Sequence, residues 1–146
     1  MGLKIKKILL PYDDTESSVK AFKKILSIIE NKNSKIILLT CIRDQSTFGF
    51  FKTKSDKEHM KKEKEKAEKI HEETKRESEK FGIKVTSKIV KSDLESKSII
   101  DYAKKENVDV IIMSKSKLST HAERVYYNST VDAVFKNAPC MFLYLP

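Results

Sequence analysis

Residues 5–10 become uniformly apolar at Ile8-Leu9-Leu10 and stop at Pro11, the pattern of a buried strand. Tyr12-Asp13-Asp14-Thr15-Glu16 follows, polar and rich in helix-capping residue types. Val19, Phe22, Ile25, Leu26 and Ile29 then recur at helical spacing and predict one apolar stripe, which Asn31-Lys32-Asn33-Ser34 interrupts. Residues 35–42 (KIILLTCI) form a nearly continuous apolar run, as expected of a strand covered on both faces. A loop over 43–55 carries Phe48, Phe50 and Phe51.

Residues 56–81 have the composition of one long helix with a thin apolar stripe of Met60, Ala67, Ile70 and Phe81, and Thr74 between. Such a helix lies on a domain by one edge, and its inward positions are too polar for a coiled-coil seam. Gly82 stands where a C-cap glycine belongs. Residues 84–90 alternate, which suits a half-exposed edge strand. Ser92 and Asp93 are expected to cap a helix with the stripe Ile99, Tyr102 and Ala103. A strand is predicted over 108–113, then a polar stretch over 114–127. A last helix is marked by Val131, Val134, Phe135 and Ala138, and a final strand spans 140–145.

Strands and helices therefore alternate from end to end. That order implies parallel pairing through right-handed crossovers and an open α/β sheet with helices on both faces. Ligands of such sheets sit beyond the carboxyl ends of the strands, where the strand order reverses. The segments to watch are those after the first and fourth strands, 13–16 and 114–120.

A length of 146 residues is the size of a single domain, read here as 1–146. Three glycines (Gly2, Gly49 and Gly82) exclude a P-loop and a GxGxxG turn, neither of which can be written with them. The net charge of +9 raises the question of nucleic acid, yet the tract 56–80 holds as many acids as bases. Only three of the thirty basic residues are arginine, and no basic-aromatic alternation offers a stacking platform. Specific nucleic-acid binding is therefore not expected, although weak adhesion to polyanions suits so basic a chain.

Cys41 and Cys140 sit inside apolar runs and read as small buried hydrophobes. His59, His71 and His121 have no metal-ligand spacing; His71-Glu72 opens like HExxH but has Lys75 where the second histidine belongs. No metal site is expected. No apolar run approaches the length needed to span a bilayer, so a cytoplasmic protein without membrane contact is expected.

Several segments resemble one family. Ile8-Leu9-Leu10-Pro11-Tyr12-Asp13-Asp14-Thr15-Glu16 is similar to the I-L-V-P-x-D-G-S-E opening of universal stress proteins. Asn107-Val108-Asp109-Val110-Ile111-Ile112-Met113-Ser114 resembles their N-A-D-L-I-V-M-G, and Asn137-Ala138-Pro139-Cys140 resembles their H-A-P-C. The resemblance runs over essentially the whole chain. It implies a Rossmann-like, five-stranded parallel sheet of order 3-2-1-4-5 and a cytoplasmic stress-response module. It also implies an adenine-nucleotide site at the switch between strands one and four. Pro11, Asp13 and Thr15 would lie in its first loop, with Asp13 on the adenosine part. Ile42, ending strand two, would lie by the adenine, and Met113 would end strand four.

The family's phosphate-wrapping loop, G-x-x-G then nine residues then G-S or G-T, is altered here. Its first glycines fall on Ser114 and Lys117, and its later pair falls on Asn128-Ser129, followed by Thr130, with one residue too many between. Glycine lets backbone N–H groups approach phosphate closely; Ser114 and Lys117 carry side chains in the way. Lys117 keeps a charge for a phosphate, and Ser129 keeps a hydroxyl. The expectation is a modified or degraded nucleotide site in which ATP or AMP binds weakly, and no certain cofactor.

No nucleophile, base or metal set for catalysis stands out, so a non-enzymatic module is expected, with ATP hydrolysis left open. Asp13-Asp14 after strand one is similar to receiver-domain acceptors. The aspartate that should end strand three and the lysine after strand five are missing. An ATP-binding switch of the same family is the alternative, and a protein or nucleic-acid adaptor is the third reading. The uncharged run over 140–145 lies at a sheet edge in the family's strand order. Such an edge needs a cover, which predicts a homodimer through the last strand.

Overall fold

In a computed structural model that describes residues 5–12, 16–29, 33–43, 54–115 and 120–146, strands and helices alternate throughout. The elements are β1 (Lys7–Pro11), α1 (Glu16–Ile28), β2 (Lys35–Arg43), α2 (Lys54–Glu79), β3 (Lys84–Ser92), α3 (Glu95–Lys105), β4 (Val110–Ser114), α4 (His121–Asn137) and β5 (Met141–Leu145). All strand pairs are parallel, in the order β3-β2-β1-β4-β5. The expected α/β architecture and strand order are present.

Side-chain alternation along the strands divides the interior into two layers. Ile8, Leu10, Ile36, Leu38, Val110 and Ile112 face α1, whose Phe22 and Ile25 are fully enclosed; Ile70 of α2 packs against the same cluster. Leu9, Ile37, Leu39, Ile111 and Met113 face the other way, onto Ile99 and Ala103 of α3 and Val134 of α4. The central strands are apolar on both sides because both sides are covered.

The long helix meets the sheet through a more polar stripe than its sequence suggests. Met60, Ala67, His71, Thr74 and Ser78 are its buried residues, whereas Phe81 stays 57% exposed. Phe81 lies past the end of the helix, where Gly82 takes φ 70°. A bond from Ile83 N–H back to Ser78 O, 3.4 Å, closes a glycine-capped terminus.

Three further expectations are corrected. Ser92 does not cap α3; it ends β3, its hydroxyl accepts from Ser98 (2.5 Å), and Leu94 takes the N-cap position without a side-chain bond. Phe135, assigned to an inward stripe, is 64% exposed. Most consequential, the last helix begins at His121 rather than near residue 131. Thr120 caps it by accepting from the Glu123 N–H at 3.1 Å. Thr120-His121-Ala122-Glu123 has the Ser/Thr-x-x-Glu form of a capping box, a signal present in the sequence. The first turns, 121–126, are exposed throughout, so no apolar stripe announces them.

Candidate functional site

β1 pairs with β4 at Ile8–Val110 and Leu9–Ile111. Beyond those residues a cavity of about 250 Å³ opens at the carboxyl ends of β1, β2 and β4. Its floor is Leu10, Leu39 and Met113. Pro11, Tyr12, Thr40, Cys41 and Ser114 form the strand-end walls. Helix starts complete it: Ser17 and Ser18 from α1, Glu95 from α3, and Glu123, Tyr126 and Tyr127 from α4. This is the switch-point crevice that open α/β sheets use for ligands.

Polar groups around the cavity are held in defined directions. The Ser114 hydroxyl donates to Ser17 O at 3.0 Å, tying β4 to the start of α1. The Tyr127 hydroxyl donates to Ser114 O, so α4 is fixed to the same residue. Behind the wall, the Thr40 hydroxyl donates to Tyr12 O. Thr40 has a single proton, so its oxygen accepts from His71 Nε2–H at 2.7 Å. His71 Nδ1 is then the acceptor for the Ser87 hydroxyl. His71 is 2% exposed and meets the Tyr12 ring edge-on with centroids 6.1 Å apart. Burial alone lowers its pKa from 6.5 to about 4, so the ring is neutral. The half-buried Cys41 thiol is pushed up to about 12, first by burial and then by the Glu95 charge, which makes it a poor nucleophile.

Two carboxylates, Glu95 and Glu123, line the cavity, and no lysine or arginine is among its described lining residues. Arg43 stands at the rim, its guanidinium carbon 4.8 Å from the centroid of the Tyr126 ring.

Of the residues expected at the site, the structure brings Pro11, Met113 and Ser114 together at this cavity. Asp13, Thr15 and Lys117 lie outside the described residues. Ile42 is placed elsewhere: it lines a separate cleft with Met60 and Ile89, and Cys41, one residue earlier, reaches the cavity instead. Asn128 and Ser129 are exposed in the middle of α4, and buried Thr130 donates its hydroxyl to Tyr126 O at 3.1 Å. Mid-helix N–H groups are spent in the helical ladder, so these three offer no free backbone donors to a phosphate. That placement sets all three outside the described lining of the cavity. The residues missed were Tyr12, Ser17, Ser18, Thr40, Cys41, Glu95, Glu123, Tyr126 and Tyr127. Thr40, a lone polar residue inside KIILLTCI, was the visible signal; Glu95 and Glu123 are joined only by topology.

The fold is a doubly wound α/β sheet with a crevice at its switch point. The Universal stress protein family model matches residues 4–146, and the chain belongs to that family. Among solved structures it is similar to the hypothetical protein MJ0577, with 27% identity, 98% of this chain and 96% of that one covered, and a TM-score of 0.79. The universal stress protein UspA from Lactobacillus plantarum has 20% identity over 99% of this chain and 100% of its own, with a TM-score of 0.82. An Arabidopsis thaliana family protein solved with AMP bound has 16% identity over 96% of this chain and 90% of its own, with a TM-score of 0.67. No curated protein matches the sequence significantly.

Proposed function

We propose that this chain is a non-enzymatic stress-response module, working as a homodimer in the cytoplasm. Its crevice is a modified adenine-nucleotide site that keeps the nucleoside side and has lost the phosphate loop. Three family members of known structure hold adenine nucleotides: one with cAMP, the Arabidopsis protein with AMP, and one from Archaeoglobus fulgidus with dAMP. They support an adenine ligand here. The observation that carries the reading is the early start of α4. It puts Glu123, Tyr126 and Tyr127 against the cavity and leaves Asn128 and Ser129 on the outside of a helix. Two carboxylates in the lining oppose added phosphate charge.

Dimerisation rests on β5, which among the described residues pairs only with β4 and exposes Met141 (44%), Leu143 (39%) and Tyr144 (40%). An apolar edge strand of this kind calls for a cover. Calorimetry on protein stripped of ligand tests the site. Adenosine, AMP and ATP are expected to bind within a few-fold of one another, with ATP weaker than about 100 μM, or about −5.5 kcal/mol. Tight ATP binding with AMP much weaker would replace this reading with an ATP-dependent switch.

A further inference from the structure

A second cleft, of about 470 Å³, lies between the first half of α2 and the ends of β2 and β3. Its floor is aliphatic: Ile42 and Met60 are buried, and Ile89 and Val90 are half-buried. Lys57, Lys61, Lys64 and Lys91 surround that floor, all four exposed, and no carboxylate is among its described lining residues. Glu58, Glu63 and Glu65 are interleaved on the same helix but do not line the cleft.

The lysines are not a random part of a charged helix. The buried residues Met60, Ala67, His71, Thr74 and Ser78 follow heptad-like spacing. Extended towards the N-terminus, the same stripe passes through positions 64 and 57, and both are lysine. Lys61 stands one turn from each, at i+4 from Lys57 and i−3 from Lys64. From the sheet, β3 adds Lys91, directly beside Ile42 in the parallel register. Cations thus occupy positions that elsewhere along α2 hold packing residues, and a cleft stands where the packing would be. Four like charges around one concavity repel each other, and an anion seated among them relieves that. The aliphatic floor wants hydrocarbon, and its described lining residues include no aromatic face on which a base would stack. The volume falls within the roughly 300–1,000 Å³ of small-molecule sites.

We propose that this cleft binds an amphiphilic anion, a medium-length hydrocarbon chain ending in a carboxylate. The chain lies on Ile42, Met60 and Ile89, and the carboxylate sits among Lys57, Lys61 and Lys64. This site is separate from the switch-point crevice and independent of the nucleotide reading.

The test is calorimetry with sodium decanoate below its micelle concentration, on the full chain. Saturable binding is expected, weakening with added salt and about fifteenfold tighter than for octanoate if both extra methylenes are buried, at roughly fourfold each. The double substitution Lys57→Gln/Lys64→Gln is expected to weaken decanoate about tenfold. Glutamine keeps helix propensity, and an unchanged thermal melt by circular dichroism confirms that the variant folds. Decanol binding as well as decanoate, decylamine binding as well, or an unaltered double variant would each overturn the proposal. So would sedimentation with anionic lipid vesicles in the absence of any saturable decanoate binding.

Discussion

Acidification should weaken this protein through His71, by an amount set by the buried network around it. The ring is 2% exposed, accepts from the Ser87 hydroxyl at Nδ1 and donates from Nε2 to Thr40. Protonation would put a second N–H at Nδ1 and a charge where solvent cannot reach it. The folded pKa lies at about 4 against 6.5 unfolded, so the unfolded chain binds the proton more readily between those values. The contribution is therefore intact above about pH 6.5 and is lost as pH falls towards 4. At about 1.4 kcal/mol per pH unit, moving from pH 7 to pH 5 removes about 2 kcal/mol, a sizeable part of the roughly 5–15 kcal/mol typical of a domain. Urea unfolding of the parent and of His71→Gln at pH 7, 6 and 5 isolates the effect. Every other ionisable group is common to the two proteins, whereas His71 is present in one. The gap between the two is expected to change by about 2 kcal/mol in favour of the variant as pH drops. Parallel pH profiles would refute the reasoning and mean that the ring accepts its second proton in place.

Leu143→Asp in β5 is expected to give a monomer by light scattering at micromolar concentration where the parent is a dimer; a monomeric parent would remove the edge-strand argument. Tyr127→Phe removes the donor to Ser114 O and should cost about 1–2 kcal/mol in urea unfolding, because Ser114 is buried and its carbonyl loses that partner. Arg76→Ala breaks a 3.8 Å contact to Glu72 between side chains 74% and 60% exposed, so a stability change below about 0.5 kcal/mol is expected. Several losses above ~2 kcal/mol at charged positions of α2 would instead mean that the helix is covered by a partner.

The strands were legible because their apolar runs are long and uninterrupted: Ile8-Leu9-Leu10 and Ile36 to Leu39 can hardly lie anywhere but in a sheet covered on both sides. α2 was legible as a helix from composition. Its inward face was not, because His71, Thr74 and Ser78 are buried at no cost that sequence reveals. Their partners, Thr40, Ser87 and Tyr12, come from other elements, while Ser78 donates to Lys75 O at 2.6 Å within its own helix. The early turns of α4 were hidden for the opposite reason: they bury almost nothing, and only the Thr120–Glu123 pairing marks them. The position of the crevice followed from strand order alone. Its lining did not, since the residues that give it character come from the first turns of three different helices.

The β1–β4 seam also bears on how the chain folds. β1 finds β2 after one short helix, and β4 finds β5 after another, so each half of the sheet can pair locally. Joining the halves requires Asp109 to reach the other end of the chain. There its carboxylate accepts from the Lys6 and Lys7 N–H groups at 2.8 and 2.9 Å, and its own N–H donates to Lys7 O at 3.0 Å. Those partners are separated by 102 to 103 residues, and closing so long a loop costs on the order of 1 kcal/mol more than closing the β1–β2 loop. The crevice exists only once that closure is made, because β1 and β4 form its two sides. The crevice thus depends on a seam fastened from outside it, and Asp109, which is not among its described lining residues, is the clasp.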